Sequence, residues 1–332
     1  MEKNERIKRL IAGESIDRLP FALWRHLPPE DATPEGLVRA TVRFIQRWDF
    51  DLVKVMFLNK TWSIDWGGRF QPYDRGGGWF PIAEHAIKHP SDWPKIRPLP
   101  PTRGVFADQV KVVKMLRHEF GPNMPIVATM FSPLTAGLEL AGQTLHEQAL
   151  SHGKEVHAGL KILTDTISDF AQACVEAGAD GIFLAVQSAR EDALSVAAFE
   201  EFGVAYDLPI LKRVESTTWF NVLHLCKPKM RFETVKYYPV QAVNWHDRGP
   251  TGPTLTQARN VWSGVLLAGL DHEGDGRFVG GVPDEAAAQA CDAIAQLQGK
   301  KLILGPGCVT HLGTPEANID AVRQVVNNLK VQ

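Results

Sequence analysis

Short apolar, β-branched runs alternate with longer stretches of helical period along this chain. The runs fall at 21–26 (FALWRH), 51–57 (DLVKVMF), 125–131 (PIVATMF), 179–186 (ADGIFLAV), 219–226 (WFNVLHLC), 242–247 (AVNWHD), 265–271 (VLLAGLD) and 301–306 (KLILGP). Their near-continuous apolar character is that of strands covered on both faces. Helical spacing of apolar positions occupies 35–48, 105–120, 155–177, 196–216, 254–260, 283–297 and 315–329. Strands interleaved with helices in this order predict an α/β fold, a parallel (β/α)8 TIM barrel spanning 1–332 as one domain. The stretch 58–104 breaks the rhythm, with a Gly-, Pro- and Trp-rich sequence (WSIDWGGRFQPYDRGGGWF) and no clear period. It is longer than a structureless connection usually is. It predicts an elaborated insertion loop after the second strand, folded over the barrel mouth.

Composition narrows the function classes. The 332 residues are 44% hydrophobic and 22% charged, a globular balance with material for a large core. A net charge of −2 with mixed signs excludes a nucleic-acid or anionic-membrane surface as the expected partner. The opening MEKNERIKRLIAGES reads as a charged amphipathic helix, not a signal peptide, and no apolar run approaches a membrane span. A soluble, cytoplasmic protein is expected. Four cysteines are too few for a disulfide scaffold of this size. Cys174 and Cys291 lie in helical segments among small apolar neighbours and are expected as buried small hydrophobes.

The other two cysteines carry candidate chemistry. Alternation along a strand turns residues i and i+2 to one face, so His224 and Cys226 point the same way from the end of 219–226. Cys308 sits in a turn-like GPGC directly after the last apolar run. Barrel active sites lie at the C-terminal ends of the strands, which brings the three residues to one rim. Two thiols and an imidazole make the ligand set of a catalytic zinc site with an open fourth position. Two thiolates cancel the charge of a zinc ion, and a third sulfur leaves the site about one unit negative. That balance suits alkylation of a bound sulfur better than hydrolysis. A ligating imidazole usually donates its other N–H to a carboxylate or carbonyl. Asp247, Asp271 and Glu215, at or near strand ends, are candidates for that partner or for an acid beside the thiol. Gln187, Asn244 and Trp245 are candidates to line the substrate pocket, with packing or structural hydrogen bonding the alternative. His26, His246, His272 and His311 also fall near rims, where a solvated or hydrogen-bonded histidine is the commoner outcome. His311 is the nearest reserve ligand, three residues past Cys308. No phosphate-binding loop is present: GPTGPT at 249–254 has prolines where free N–H groups are needed.

With barrel and ligand set in place, the chain resembles the uroporphyrinogen decarboxylase superfamily over nearly its whole length. ERIKRLIAGESIDRLPFALWRH, EAGADGIFLAVQSA and LGPGCVTHLGTPEANIDAV are similar to that family's segments. The HLC and GPGC positions resemble the zinc-binding positions of its corrinoid:thiol methyltransferase branch. Those enzymes are (β/α)8 barrels that move a methyl group between a corrinoid cobalt and a zinc-bound thiolate. The resemblance implies zinc on His224, Cys226 and Cys308, a corrinoid carried by a partner protein or free, a small thiol or methylated substrate, and a homodimer. The decarboxylases themselves pair arginines in an MRQAGR-like segment and carry an FSD-like aspartate. Here Arg25 matches one arginine, as a candidate substrate contact, no second follows, and FDLVKVMFLN lacks the aspartate. HLC is followed by KPKMRF and not by the branch's Gly-Asn or Gly-Asp turn. Three functions follow: a zinc-dependent corrinoid methyltransferase, a metal-free lyase acting on a carboxylated ring, and a non-catalytic barrel that binds a tetrapyrrole or corrinoid.

Overall fold

A computed structural model describes residues 1–56, 63–71 and 81–329. The strands among them are β1 (Val53–Val55), β2 (Arg69–Phe70), β3 (Ile82–Glu84), β4 (Ile126–Phe131), β5 (Gly181–Val186), β6 (Val222–Leu225), β7 (Ala242–Trp245), β8 (Val265–Leu270) and β9 (Leu302–Pro306). Seven of them form one curled parallel sheet in the order β1-β4-β5-β6-β7-β8-β9. The expected first strand, 21–26, is reduced to a single parallel bridge from Phe21 to Leu304. It still closes the barrel. Leu304 N–H donates to Pro20 O at 2.9 Å, Ala22 N–H to Leu304 O at 3.0 Å, and Asp51 N–H to Phe21 O at 2.9 Å. Pro20 has no N–H to extend the ladder, so pairing there stays short.

The helices are α1 (Lys3–Ala12), α2 (Pro34–Arg47), α3 (Gly104–Phe120), α4 (Pro133–Ala141), α5 (Thr144–Ser151), α6 (Gly153–Glu176), α7 (Val196–Phe199), α8 (Ala205–Val214), α9 (Leu255–Val261), α10 (Pro283–Leu297) and α11 (Glu316–Asn328). They bury their apolar faces on the outside of the sheet, in one large core. A second, smaller core fills the barrel interior with Leu52, Val127, Phe183, Val222, Ala242 and Leu267 among others. No described helix is long and apolar enough to cross a membrane. Cys174 is buried as expected, whereas Cys291 is exposed, because it lies on the solvent side of α10.

The insertion is partly ordered into structure. β2 and β3 form a small antiparallel ribbon. Beyond it, Trp93 is fully buried, and its indole N–H donates to Gln148 Oε1 at 2.7 Å. A Cβ on Gly159 of α6 would stand 2.3 Å from that ring, so the helix needs a glycine where the indole lies across it. Ile87 N–H donates to Leu140 O at 2.8 Å. This half of the insertion therefore belongs to the outer helical layer. Residues 57–62 and 72–80, which carry the central part of the loop expected over the mouth, lie outside the described residues.

Candidate functional site

The inward positions of each strand change character toward the C-terminal end. Along β6 they run Val222, His224, then Cys226; along β7, Ala242, Asn244, then His246; through β1, Leu52, Lys54, then Met56. The lower layer is apolar and the upper layer is polar, so the chemistry sits at the C-terminal mouth. Neighbouring registers pair His224 with Asn244. Cys308 arrives from the turn after β9. That turn passes so close to the end of β7 that a Cβ on Gly307 would lie 2.8 Å from Trp245 O and 3.1 Å from His246 Cα. The close approach is what delivers the second thiol.

Four donors meet there: His224, Cys226, His246 and Cys308, with their ligand atoms all within 4.8 Å of one another. Cys226 Sγ stands 3.9 Å from Cys308 Sγ, Cys308 Sγ stands 3.6 Å from His224 Nε2, and Cys226 Sγ stands 3.9 Å from His246 Nε2. Both cysteines are free thiols. Metal–sulfur bonds of about 2.3 Å and metal–nitrogen bonds of about 2.0–2.1 Å in a tetrahedron separate two sulfurs by roughly 3.8 Å and sulfur from nitrogen by roughly 3.6 Å. The observed spacings match, so the residues fit a zinc-type ion. The two sulfurs are also within hydrogen-bonding reach of each other. The S–H of Cys226 and the two imidazoles hold Cys308 well below the ordinary thiol range, while the hydrogen bond to Cys308 and burial push Cys226 well above it. The sequence reading had the trio but read His246 only as a rim histidine. The alternation that paired His224 with Cys226 applies equally to Asn244 and His246.

Several expected residues are elsewhere. Trp245 and Asp247 occupy the outward positions of the same stretch. Trp245 packs on Phe232 and donates its indole N–H to Pro253 O at 2.9 Å. Asp247 lies 3.2 Å from Arg248 Nε, and burial raises its carboxyl to about 7. Asp271 holds a turn together, accepting from Phe278 N–H at 2.8 Å and Gln289 Nε2 at 2.8 Å. Glu215 follows α8 at the exposed N-terminal side of the barrel and pairs with Lys212. None of the three carboxylates reaches His224, whose buried Nδ1 has no hydrogen-bond partner among the described residues. Arg25 turns outward into a separate cavity with Arg43, Arg47 and Glu316, because Trp24 and His26 take the inward positions beside it. His311 is exposed and accepts from Gly313 N–H at 3.0 Å. His272 packs edge-on to His246 with ring centres 4.2 Å apart, and burial lowers its pKa.

Of the two remaining pocket candidates, Gln187 lies on the wall of a cavity beside the cluster and Asn244 does not. A cavity of about 150 Å³ opens onto His224, Cys226 and Cys308 and is walled by Trp24, Met56, Phe131 and Phe183, with His26, Lys54, Thr129 and Gln187 as its other polar groups. Asn244 is fully buried and ties the strand ends together, donating Nδ2 to Leu267 O at 2.6 Å and Pro306 O at 2.9 Å.

Fold and site together define a parallel α/β barrel with a cysteine–histidine centre at its C-terminal mouth. The uroporphyrinogen decarboxylase (URO-D) family model matches residues 2–329, and the chain belongs to that family. Among curated proteins it is 22% identical over 249 residues to the methylcobamide:CoM methyltransferase MtbA of Methanosarcina acetivorans, covering 75% of this chain and 71% of that one. It is 27% identical over 224 residues to the methylcobamide:CoM methyltransferase MtaA of Methanosarcina barkeri, covering 64% and 61%. Among solved structures, a methyltransferase from Methanosarcina mazei superposes with a TM-score of 0.84 at 20% identity, covering 98% of each chain. A B12-independent methionine synthase from Shewanella sp. W3-18-1 superposes with a TM-score of 0.58 at 13% identity, covering 93% of this chain and 96% of that one.

Proposed function

We propose that this protein is a zinc-dependent methyltransferase that moves a methyl group between a corrinoid and a small thiol, the corrinoid being free or on a partner protein. The observation that carries the reading is the convergence of two sulfurs and two imidazole nitrogens within metal-ligand reach of one another at the barrel mouth. The methyltransferase names of the relatives agree with it. The decarboxylase alternative loses its one matched cation, since Arg25 faces another cavity.

His224, Cys226 and Cys308 would hold the ion, and His246 would supply the fourth donor at rest. A bound zinc ion keeps an incoming thiol deprotonated near neutral pH while leaving its sulfur nucleophilic. His246 would be the donor to exchange for an incoming thiol. Its Nε2 stands 3.5 Å from Lys227 N, whose N–H would be its alternative partner without the ion. Free of the ion and of that N–H, the same Nε2 would be a base for the proton that the acceptor thiol gives up. The acceptor sulfur then provides the electron pair of the new C–S bond, and the pair of the broken bond stays with the methyl donor. The apolar cavity walls keep water from competing for the methyl group.

The test combines metal analysis with turnover. Protein purified without added metal should carry about one zinc per chain, lost in Cys226→Ser and Cys308→Ser. Methylcobalamin absorbance should show demethylation that requires both thiol and intact ligands. Metal-free protein that demethylates nothing with any thiol overturns the reading.

A further inference from the structure

A second set of metal donors lies against the first. β7 and β8 are neighbours in the sheet, so the residues just past their ends, His246 and His272, meet at one rim. Their rings pack with centres 4.2 Å apart and planes at 63°. Glu273 follows, and its Oε1 stands 3.1 Å from His272 Nε2. The donor atoms of His246, His272 and Glu273 all lie within 4.8 Å of one another. Asp271 fixes the turn that presents the last two, by accepting from Phe278 N–H and Gln289 Nε2. Two imidazoles and a carboxylate are a ligand set of open zinc sites, and metal bonds of about 2.0–2.2 Å put such donors roughly 3.3 Å apart. The exposed Glu273 side chain is free to rotate into that spacing, and among the described residues it pairs with no lysine or arginine.

Burial grades these donors inward. The Glu273 side chain is 68% exposed and that of His272 10%, while His246 is 7% exposed and belongs to both clusters. The other approach to the cysteines is the cavity, which among the described residues neither His246 nor His272 lines. Its apolar walls replace little of an ion's hydration, and the buried Lys54 ammonium among them repels a cation. We propose that His246, His272 and Glu273 form an outer metal position, weaker than the inner one, that captures a hydrated divalent ion from solvent and passes it inward through the shared His246. This rests on the reading of the inner cluster as a metal centre. The two positions compete for His246, and the inner one, with its two thiolates, holds the ion at equilibrium. The outer one therefore governs how fast the centre fills and not how tightly.

Cobalt(II) distinguishes the two positions, because only the inner one gives sulfur-to-cobalt absorption. The outer position is read in Cys226→Ser/Cys308→Ser, checked for folding by circular dichroism, where the inner one no longer competes. That variant should bind about one cobalt per chain with roughly micromolar affinity and no sulfur band, and adding His272→Ala should weaken binding about tenfold or more. No binding, or equal binding with and without His272, overturns the outer position. Delivery is read in chains that keep both cysteines. On mixing metal-free protein with cobalt, the sulfur band should grow about tenfold more slowly in His272→Ala and Glu273→Gln than in wild type. The final affinity, measured by competition with a chelator, should be unchanged. Equal filling rates, or slower filling matched by an equal loss of affinity, overturn delivery. Wild type that takes up cobalt without a sulfur band overturns the metal-centre reading of the inner cluster and delivery to it, and leaves the outer position to stand or fall on the variant titration.

Discussion

His224, Cys226 and His246 converge because side chains two apart on a strand share a face, and Gly307 lets the Cys308 turn close over them. On the proposed zinc reading the four donors would not contribute equally. Loss of either thiolate removes both a ligand and the charge that offsets the ion, so Cys308→Ser should leave the protein essentially free of zinc. His246→Ala leaves three ligands, and zinc should stay bound but about tenfold or more weakly. In the cobalt-substituted protein its ligand-field bands should shift as water takes the vacated position; an unchanged spectrum removes His246 from the ligand set. Gly307→Ala should weaken metal binding as well, because the added methyl meets Trp245 O at 2.8 Å and pushes the turn away. The trio was legible in the sequence because a shared strand and a turn fix it locally. His246 is legible by the same rule, although a histidine near a rim, taken alone, is more often solvated or hydrogen-bonded than a ligand. Arg25, Asp247, Trp245 and Glu215 misled for a related reason. Nearness to a strand end does not say which face or which end of the barrel a side chain occupies, and Glu215 lies at the other end.

Strands were easier to read than helices. Apolar runs mark β4 to β9 within one to three residues at each end, since burial on both faces leaves no polar interruption. The 21–26 run failed as a strand because its partners lie at opposite ends of the chain and Pro20 limits the ladder. The segment 196–216 reads as one helix but contains a π-helical turn, Glu200–Val204, between α7 and α8. Side-chain period alone does not show where a helix widens by one residue. Just past that turn, Asp207 is fully buried and accepts from Tyr238 Oη at 2.6 Å. Burial raises its carboxyl from 3.8 to about 7. The folded protein therefore keeps a proton that the unfolded chain has released. The contribution is fully present below about pH 4 and is lost as pH rises through 7. Asp247 and Glu139 are shifted the same way, each to about 7. Asp207→Asn removes one of the three, so the gap in thermal midpoint between wild type and variant should move in the variant's favour from pH 5 to pH 8. A gap that does not change with pH would show that Asp207 is ionised in the native protein.

At the scale of the molecule, the barrel has one weak seam, where a single bridge joins Phe21 to Leu304. Side chains do there what the ladder does elsewhere. Asp51 is fully buried and accepts from Phe21 N–H at 2.9 Å, Arg6 Nη1 at 2.7 Å and Arg18 Nη1 at 2.6 Å. Arg6 in turn pairs with Asp17 at 2.6 Å, so α1, the loop after it, the 21–26 segment and the approach to β1 are tied at one carboxylate. The seam also reaches the site, because Thr310 N–H, two residues past Cys308, donates to Trp24 O at 3.0 Å. Asp51→Ala takes one partner from each of two guanidinium groups, which keep Asp17 and Asp49, and leaves a backbone donor unpaired, so urea unfolding should show a loss of about 3 kcal/mol. Asp51→Asn keeps an acceptor for Phe21 N–H and should lose less. If the seam positions the Cys308 turn, zinc affinity should fall in the same order under conditions where every variant is still folded. Affinity that holds while stability drops would mean that Gly307 and Asn244, on the far side of the turn, fix Cys308 without help from the closure. The two outcomes separate a barrel that only carries its cysteine–histidine cluster from one whose closure builds it.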